Sequence, residues 1–526
     1  MRPTAPLPAG AERVRAFELI HALQSGDAGA AAALAAMTTR AELEGRDELV
    51  RIGLLGRAVG SWLGRLPGHA ADVAALAARA EHDGDDVMVA VALAMRSNLP
   101  DDPADPGASA ERDADLARAA VLLETATGGD LELLTARTAC GIGFGYRGLW
   151  ELCEEQYDLA LRVDDGGGGR AREGLRAAVA FNLAENDVAW AAELRQKGDH
   201  AGVVARWHAW RVVSSAAREH PLPPAWQLEL IALGQLLAAL AGEDVRAPVE
   251  ELLAASPRSG AATAHLHLAA AVGAIEAGAS VAAVLAERAV TAIDADLFPH
   301  MYDLAVHLCA ELEAAAGHPA GLRAARRQLD HNQAHRLSRL GAMRARIEAE
   351  RLRAEHARLT EEATRDPLTG LANRRGLEAH LGRLRNRRTA RVAILMVDVD
   401  DFKAVNDRHG HDCGDAALCA LARILDRNVR PADLAVRLGG DEFLVVVADA
   451  SEDVALQRAA SILFLVDDHH WEEVAPGLRV TVSVGVAAGP LAALDEVRRQ
   501  ADRAVYQAKA GGGDTVCSAD WPLATA

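Results

Sequence analysis

The sequence predicts three parts: an all-α, repeat-like region over residues 1–319, a linker helix over 320–364, and a domain over 365–522 that mixes helices and strands. In the first part apolar residues recur every three or four positions, and alternating apolar–polar runs are nearly absent, which is typical of amphipathic helices. After residue 364, apolar runs and a Gly-Gly turn separate helical patterns. Strands interleaved with helices indicate an α/β or α+β domain.

Length, composition and charge agree with this division. The chain has 526 residues, of which 50% are hydrophobic and only 4% aromatic. That length suits about three or four domains, and abundant alanine favours packed helices over an aromatic-rich β-sandwich. The net charge of −19 argues against a general nucleic-acid binder, because phosphate contacts need clustered cations.

The sequence predicts no membrane segment and no disulfide framework. The N-terminus has no apolar stretch of a signal peptide, and no run of 18 apolar residues occurs, so we expect a cytoplasmic protein with no membrane partner. The cysteines lack a paired Cys-x-x-Cys spacing, so we expect free thiols in a reducing compartment. They are Cys140, Cys153, Cys309, Cys413, Cys419 and Cys517.

Three stretches of the first region share one pattern. Each begins at a small turn residue, at Gly148, Gly198 or Gly278, and continues as a helix with spaced apolar positions. The pattern resembles the second helix of tetratricopeptide repeats. Since the spacing between the stretches is irregular, an unrelated helical array is the alternative. A solenoid would offer a concave surface to a protein or peptide partner.

The linker carries an apolar stripe at the spacing of a coiled coil. Its members are Leu340, Met343, Ile347, Ala354 and Ala357, with a charged residue interrupting at position 350. Flanks rich in Arg and Glu suggest a short parallel coiled coil that joins two protomers. The alternative is a single helix packed on a neighbouring part of the chain.

Carboxylates close two of the predicted strands. Asp398 and Asp400 end the apolar run that starts at residue 391, while Asp441 and Glu442 follow a Gly-Gly turn. If these strands pair centrally, their acidic ends converge and need a hard cation such as Mg²⁺ or Mn²⁺. Lys403 follows closely, and a lysine beside acidic metal ligands is a natural phosphate partner. The pattern indicates metal-assisted chemistry on a nucleoside triphosphate.

From Arg365 to Val516 the sequence resembles the GGDEF family of diguanylate cyclases. The matching motifs are Asp366–Leu371, Asn373–Arg375, Asp398–Lys403, Asn406–Asp407, Gly410–His411, Gly414–Asp415, Gly439–Phe443, Ser483–Gly485 and Tyr506–Lys509. The resemblance implies an α+β, nucleotidyl-cyclase-like domain with a central antiparallel sheet. It also implies a homodimer that joins two GTP molecules into cyclic di-GMP and releases pyrophosphate, with two Mg²⁺ or Mn²⁺ ions per active site.

The resemblance also implies roles for individual residues. Asp398 and Asp441 would bind the metals through carboxylates and Val399 through its backbone carbonyl, while Glu442 would be a further ligand or the general base. Gly439 and Gly440 would let the hairpin backbone approach the substrate.

The remaining contacts concern the nucleotide. The backbone of Phe402 and the side chains of Lys403 and Lys509 would hold the triphosphate, and Asn406 and Asp415 would bind guanine. We interpret His411 as a structural or substrate-adjacent group rather than a proton shuttle.

Two further features bear on regulation and activity. Arg430 and Asp433 match the family's RxxD product-binding inhibitory motif. Gly513 stands where the family usually has the arginine of Gly-Arg-Asn, which removes one cation near the phosphates. No EAL-type hydrolase segment follows, so we expect synthesis without breakdown. The alternatives are a catalytically silent GGDEF module that binds cyclic di-GMP or GTP as a receptor or scaffold, and a purely structural adaptor.

Overall fold

The computed structural model describes residues 9–24, 27–63, 68–98, 106–163, 169–218, 222, 224–255, 260–276, 281–293, 299–316, 318–386 and 390–518. The chain divides into two compact units, residues 1–351 and 352–526. The last residues of the predicted C-terminal domain, 519–522, lie outside the described part.

Among the described residues of the first unit, helices are the only regular elements. Its helices are α1 (Ala9–Gln24), α2 (Ala28–Leu43), α3 (Asp47–Leu63), α4 (His69–Asp83), α5 (Asp86–Ser97), α6 (Pro106–Thr125), α7 (Asp130–Gly145), α8 (Trp150–Leu161), α9 (Gly169–Gln196), α10 (His200–Arg218), α11 (Pro224–Leu240), α12 (Arg246–Ala255), α13 (Ala261–Glu276), α14 (Ala282–Ala292) and α15 (Pro299–Ala315). Helices adjacent in sequence generally pack on one another, as in a helical array. None of the described helices is long and apolar enough to cross a membrane.

The predicted turn glycines precede helices where the structure describes them. Gly148 and Gly198 have φ values of 67° and 76°, a left-handed conformation that glycine adopts without a Cβ penalty, and they precede α8 and α10. Gly278 lies outside the described residues, and α14 follows it.

Helix α16 (Pro319–Thr364) contains the whole predicted linker. Leu340 and Met343 are buried in the core of the first unit, and Ile347 packs partly against it. Arg336 is buried beside them and forms ion pairs with Glu151 and Glu193, both at 2.9 Å. This half of the predicted stripe therefore packs within one chain, whereas residues 351–363 are exposed throughout.

The second unit is a sheet covered on both faces by helices. Its strands are β1 (Arg391–Val399), β2 (Leu434–Gly439), β3 (Glu442–Ala448), β4 (Val482–Pro490) and β5 (Val516–Ser518), in the order β2-β3-β1-β4-β5. Its helices are α17 (Arg374–Asn386), α18 (Phe402–His409), α19 (His411–Arg427), α20 (Glu452–Asp467) and α21 (Leu494–Ala510). The predicted antiparallel pairing holds from β2 to β4, while the short β5, which was not predicted, runs parallel to β4.

Strand β1 lies at the centre of the sheet, which explains its unbroken apolar sequence. Leu395 and Val397 face the core that includes α19 and α20, whereas Ile394 and Met396 face the core that includes α17 and α21. A strand buried on both faces has no solvent side and therefore needs no polar alternation. The carboxyl end of β1 carries the acidic residues out of this core.

Candidate active site

The structure brings together the acidic ends of β1 and the β2–β3 hairpin. Asp398 lies opposite Glu442 in the antiparallel register of β1 and β3. The backbone N–H of Val399 donates to the carbonyl oxygen of Asp441 at 3.3 Å. Three predicted site carboxylates, Asp398, Asp441 and Glu442, are therefore carried by neighbouring backbone segments.

Charge repulsion at this edge is balanced in part by a lysine. Burial raises the pKa of Asp398 above its ordinary value; the Lys509 ammonium opposes the rise, and the charges of Asp441 and Glu442 add to it. Lys509, in the last turn of α21, forms an ion pair with the Asp398 carboxylate. The lysine predicted to hold phosphate thus lies beside the predicted metal ligands.

The donor set fits a divalent cation that also binds phosphate oxygens. Among the residues that the structure describes, no three His, Cys, Asp or Glu side chains are grouped closely enough to form a metal site alone. Asp398 and Asp441, with the Val399 carbonyl, offer hard oxygen ligands and leave positions for substrate oxygens. Mg²⁺ commonly binds through one or two carboxylates together with substrate phosphates.

Asp400 has a different role from the one its spacing predicted. Its carboxylate accepts hydrogen bonds from the hydroxyls of Thr481 (2.8 Å) and Ser483 (2.6 Å) and from the backbone N–H of Asp514 (2.8 Å). These contacts tie the turn that follows α21 to β4 and to the end of β1. Asp400 therefore supports that turn.

Gly513 lies in the same turn and touches Asp400. It has a φ of 76°, and a Cβ placed on it would lie 2.9 Å from the Asp400 Cγ. The glycine at position 513 thus allows the turn to close tightly on the carboxylate.

Helices α18 and α19 carry the predicted nucleotide contacts. Asp401, the N-cap residue of α18, has a φ of 48° in the left-handed region, which aspartate tolerates better than most residues. Phe402 is partly buried against the core, whereas the Lys403 side chain is exposed. The first N–H groups of a helix are available to an anion, so the start of α18 is suited to phosphate.

The predicted guanine contacts lie around the corner between these helices. Asn406 is half-buried near the end of α18, and His411 and Asp415 are exposed in the first turns of α19. The side chain of Asn406 forms no hydrogen bond with any residue that the structure describes. Its amide is therefore available for a ligand.

Arg437 joins the β2–β3 hairpin to the turn after α16, and the sequence analysis missed it. Its guanidinium donates to the carbonyl oxygen of Gly440 at 2.8 and 3.1 Å and to the Asp366 carboxylate at 2.9 Å. Burial works against ionisation of Asp366, but hydrogen bonds from Thr369 and Arg437 lower its pKa below the ordinary value. Gly439 and Gly440, at φ 145° and 57°, form the turn that Arg437 holds. An arginine two residues before the Gly-Gly pair was the available signal.

The side chain of Asp433, in the predicted RxxD motif, stabilises the turn in which it lies. It is buried, and its carboxylate accepts from the backbone N–H of Ala448 at 3.1 Å and of Arg430 at 3.2 Å. Arg430 itself is exposed. The arginine is thus the member of the motif that a ligand can reach freely.

Residues 363–515 match the family profile described as "Diguanylate cyclase, GGDEF domain". With the sheet, the hairpin and the carboxylates in place, this segment is a GGDEF domain. It is 42% identical over 164 residues to the response regulator PleD of Caulobacter vibrioides and 37% identical over 156 residues to the diguanylate cyclase DgcZ of Escherichia coli.

These likenesses concern one part of each protein. They cover 30% and 29% of this chain, and 36% of PleD and 53% of DgcZ, so less than two thirds of either relative is matched. A crystal structure of the coiled coil and GGDEF domain of DgcB from Caulobacter crescentus, in complex with c-di-GMP, is 28% identical. The match covers 34% of this chain and 97% of the DgcB chain, with a TM-score of 0.30.

Proposed function

We propose that this protein is a diguanylate cyclase that condenses two GTP molecules into cyclic di-GMP and releases pyrophosphate. The observation that carries the proposal is that paired backbone segments carry Asp398, Asp441 and Glu442, with Lys509 paired to Asp398, on a segment that matches the GGDEF profile. Relatives named as diguanylate cyclases at 37% and 38% identity over this segment support it.

The proposed reaction forms one bond and breaks one at each α-phosphorus. The 3′-oxygen of one GTP attacks the α-phosphorus of the other, the bond to pyrophosphate breaks, and the hydroxyl proton leaves. Bound Mg²⁺ or Mn²⁺ ions, two per site, would offset negative charge on the attacking and leaving oxygens. Asp398, Asp441 and the Val399 carbonyl would hold the cations, and Glu442 would be a further ligand or take the hydroxyl proton.

The chain's other residues position the nucleotide. The first turn of α18 and the cations Lys403 and Lys509 hold the triphosphate. Asn406 and Asp415 bind guanine. The N1–H and 2-amino groups of guanine suit a carboxylate acceptor, and adenine has neither group. His411 lies beside this base site.

The direct test is incubation of the purified full chain with GTP and Mg²⁺, with chromatography of the products. Cyclic di-GMP and pyrophosphate are expected, and omission of the metal should abolish both. Binding of cyclic di-GMP without turnover would overturn the enzyme assignment and favour a receptor, in which the glycine at 513 has removed a needed cation.

The enzyme proposal includes a homodimer, since each protomer holds one of the two GTP molecules. Leu352 and Leu359 are exposed by 61% and 51% and are one heptad apart on α16. His356 and Ala363 continue the same stripe. This stripe, rather than the buried one that includes Leu340, is available for a parallel coiled coil with a second copy.

Charges beside the exposed stripe favour the parallel orientation. With Leu352 at a d position, Glu348 and Arg353 occupy g and e positions. Parallel helices place g opposite e, so glutamate faces arginine, whereas antiparallel helices place like charges together.

The Leu352→Glu/Leu359→Glu double variant should shift from dimer to monomer, because charges would occupy the seam between the two helices. Its turnover at micromolar protein concentration should fall at least tenfold. Sedimentation velocity and product formation measure the two effects. Leu337→Glu, at another exposed leucine of α16, is the matched control and should change neither. A double variant that remains dimeric would refute this seam.

We also propose that cyclic di-GMP inhibits the enzyme through Arg430. Arg430→Ala should raise the inhibition constant for cyclic di-GMP about tenfold, because a charge-assisted contact to phosphate or guanine is lost. Turnover without product should stay unchanged. Arg498→Ala, at an exposed arginine of α21, is the control. Unaltered inhibition in the Arg430→Ala variant would mean that the RxxD motif has only a structural role, in the turn that Asp433 stabilises.

A further inference from the structure

Gly414 packs against Asn406, one of the two proposed guanine contacts, and no role has yet been assigned to this glycine. Gly414 is buried in the first turn of α19. A Cβ placed on it would overlap the Asn406 Oδ1 atom and would lie 3.0 Å from the Asn406 Cγ and 3.2 Å from the Phe402 Cζ. Real Cβ atoms do not approach other atoms as closely as the first of these contacts. Any side chain at position 414 would therefore displace the Asn406 amide.

The backbone at this corner leaves little room to relieve that overlap. The N–H of Gly410 donates to the carbonyl oxygen of Asn406 at 2.9 Å, and the N–H of Gly414 donates to the carbonyl oxygen of Gly410 at 3.1 Å. These two bonds link residues 406, 410 and 414 and join the end of α18 to the start of α19. The movable group is the Asn406 side chain, whose amide is bonded to none of the described residues.

The amide of asparagine recognises a purine edge through its orientation. It offers an oxygen that accepts and an NH₂ group that donates, so a rotation or displacement loses both hydrogen bonds. Guanine presents its 2-amino group and N3 side by side, which match the two ends of an amide. A site that is built to hydrogen-bond such groups discriminates strongly against a base that lacks them.

We propose that Gly414 is a positioning residue for Asn406 and thereby determines the preference for guanine. The absence of a side chain at position 414 leaves the space that the Asn406 amide occupies against α19. This inference rests on the proposed function, since it takes Asn406 as a guanine contact. Gly414 acts on selectivity through the Asn406 side chain.

The test measures nucleotide binding rather than turnover. 3′-Deoxyguanosine triphosphate and 3′-deoxyinosine triphosphate lack the attacking hydroxyl, so they bind without reacting, and the inosine compound also lacks the 2-amino group. Calorimetry with the full chain and Mg²⁺ gives both dissociation constants. Gly414→Ala should weaken binding of the guanine compound about tenfold and that of the inosine compound much less, because one or two hydrogen bonds to the base are lost.

A double-mutant cycle separates this role from a general effect on folding. Asn406→Ala should lose a similar factor, and the Gly414→Ala/Asn406→Ala double variant should be no weaker than either single variant. If Gly414→Ala alone folds poorly, the double variant should fold normally, because the overlapping amide is gone. Gly382→Ala, at a helix glycine whose Cβ would meet nothing within 4 Å, is the control for a glycine-to-alanine change.

The outcomes distinguish the two proposals. A wild-type chain that binds neither compound overturns the proposed function and this inference with it. A wild-type chain that prefers the guanine compound, with a Gly414→Ala variant that keeps the same preference, overturns only the inference. Losses that multiply in the double variant would also overturn it, because Gly414 would then act independently of Asn406.

Discussion

Asp441→Ala should lower the production of cyclic di-GMP from GTP by about a thousandfold. The substitution removes a carboxylate that holds the catalytic cation, and several kcal/mol of transition-state stabilisation correspond to that factor. The backbone bond between Val399 and the carbonyl of residue 441 remains, so the hairpin should keep its place. Product chromatography at saturating Mg²⁺ measures the loss.

Two controls make this result specific to the metal site. Asp502→Asn removes an exposed carboxylate on α21 and should leave turnover unchanged. Circular dichroism and thermal melting should show an unaltered fold for Asp441→Ala. Activity within tenfold of the wild type would contradict the assignment of Asp441 as a metal ligand and would leave the metal to Asp398 and Glu442.

Gly485→Ala should strongly destabilise the second unit. A Cβ at this position of β4 would overlap two backbone atoms of α21, the carbonyl oxygen of Ala501 and the amide nitrogen of Val505. Backbone atoms in a helix cannot swing aside, so α21 would have to move away from the sheet. We expect a loss of roughly 3 kcal/mol of unfolding free energy, as for severe overpacking of a core.

Hydrogen exchange measured by mass spectrometry on the full chain would locate this effect. Segments 391–399 and 482–490 should exchange faster in Gly485→Ala, while the helices of the first unit should be unchanged. Gly382→Ala provides a control of opposite sign, because its Cβ meets nothing and alanine favours a helix interior. Unchanged protection of both strands in Gly485→Ala would show that α21 can move without cost.

The two variants also test how stability and chemistry are connected in this unit. Helix α21 carries Lys509 to Asp398, and Asp400 ties the turn after α21 to Ser483 of β4. A displaced α21 would therefore move a cation away from the carboxylates as well as open the core. Gly485→Ala should lose activity together with stability, whereas Asp441→Ala should lose activity alone.

Much of the second unit could be predicted because its local patterns reflect burial. The apolar run of β1 predicted a strand covered on both faces, and the Gly-Gly pair predicted the turn between β2 and β3. The family resemblance rested on short motifs in a fixed order, and the match over residues 363–515 confirms it. Such features depend on residue type and spacing, which are written directly in the chain.

Contacts between distant segments were decided by the tertiary structure. Asp400 follows Asp398 by two residues and therefore looked like a second metal ligand. Its carboxylate instead accepts hydrogen bonds from Thr481, Ser483 and Asp514, which lie far along the chain. Arg437 reaches Asp366, and no local pattern indicates that pairing.

The linker helix shows the same division. Its length and helical character followed from the sequence alone, and α16 extends over Pro319–Thr364 as one helix. Which of its apolar stripes is covered depended on the first unit, whose core takes up Leu340 and Met343 and leaves Leu352 and Leu359 exposed. Periodicity identifies the faces of a helix, whereas the complementary surface that buries one of them is formed only when remote helices pack together.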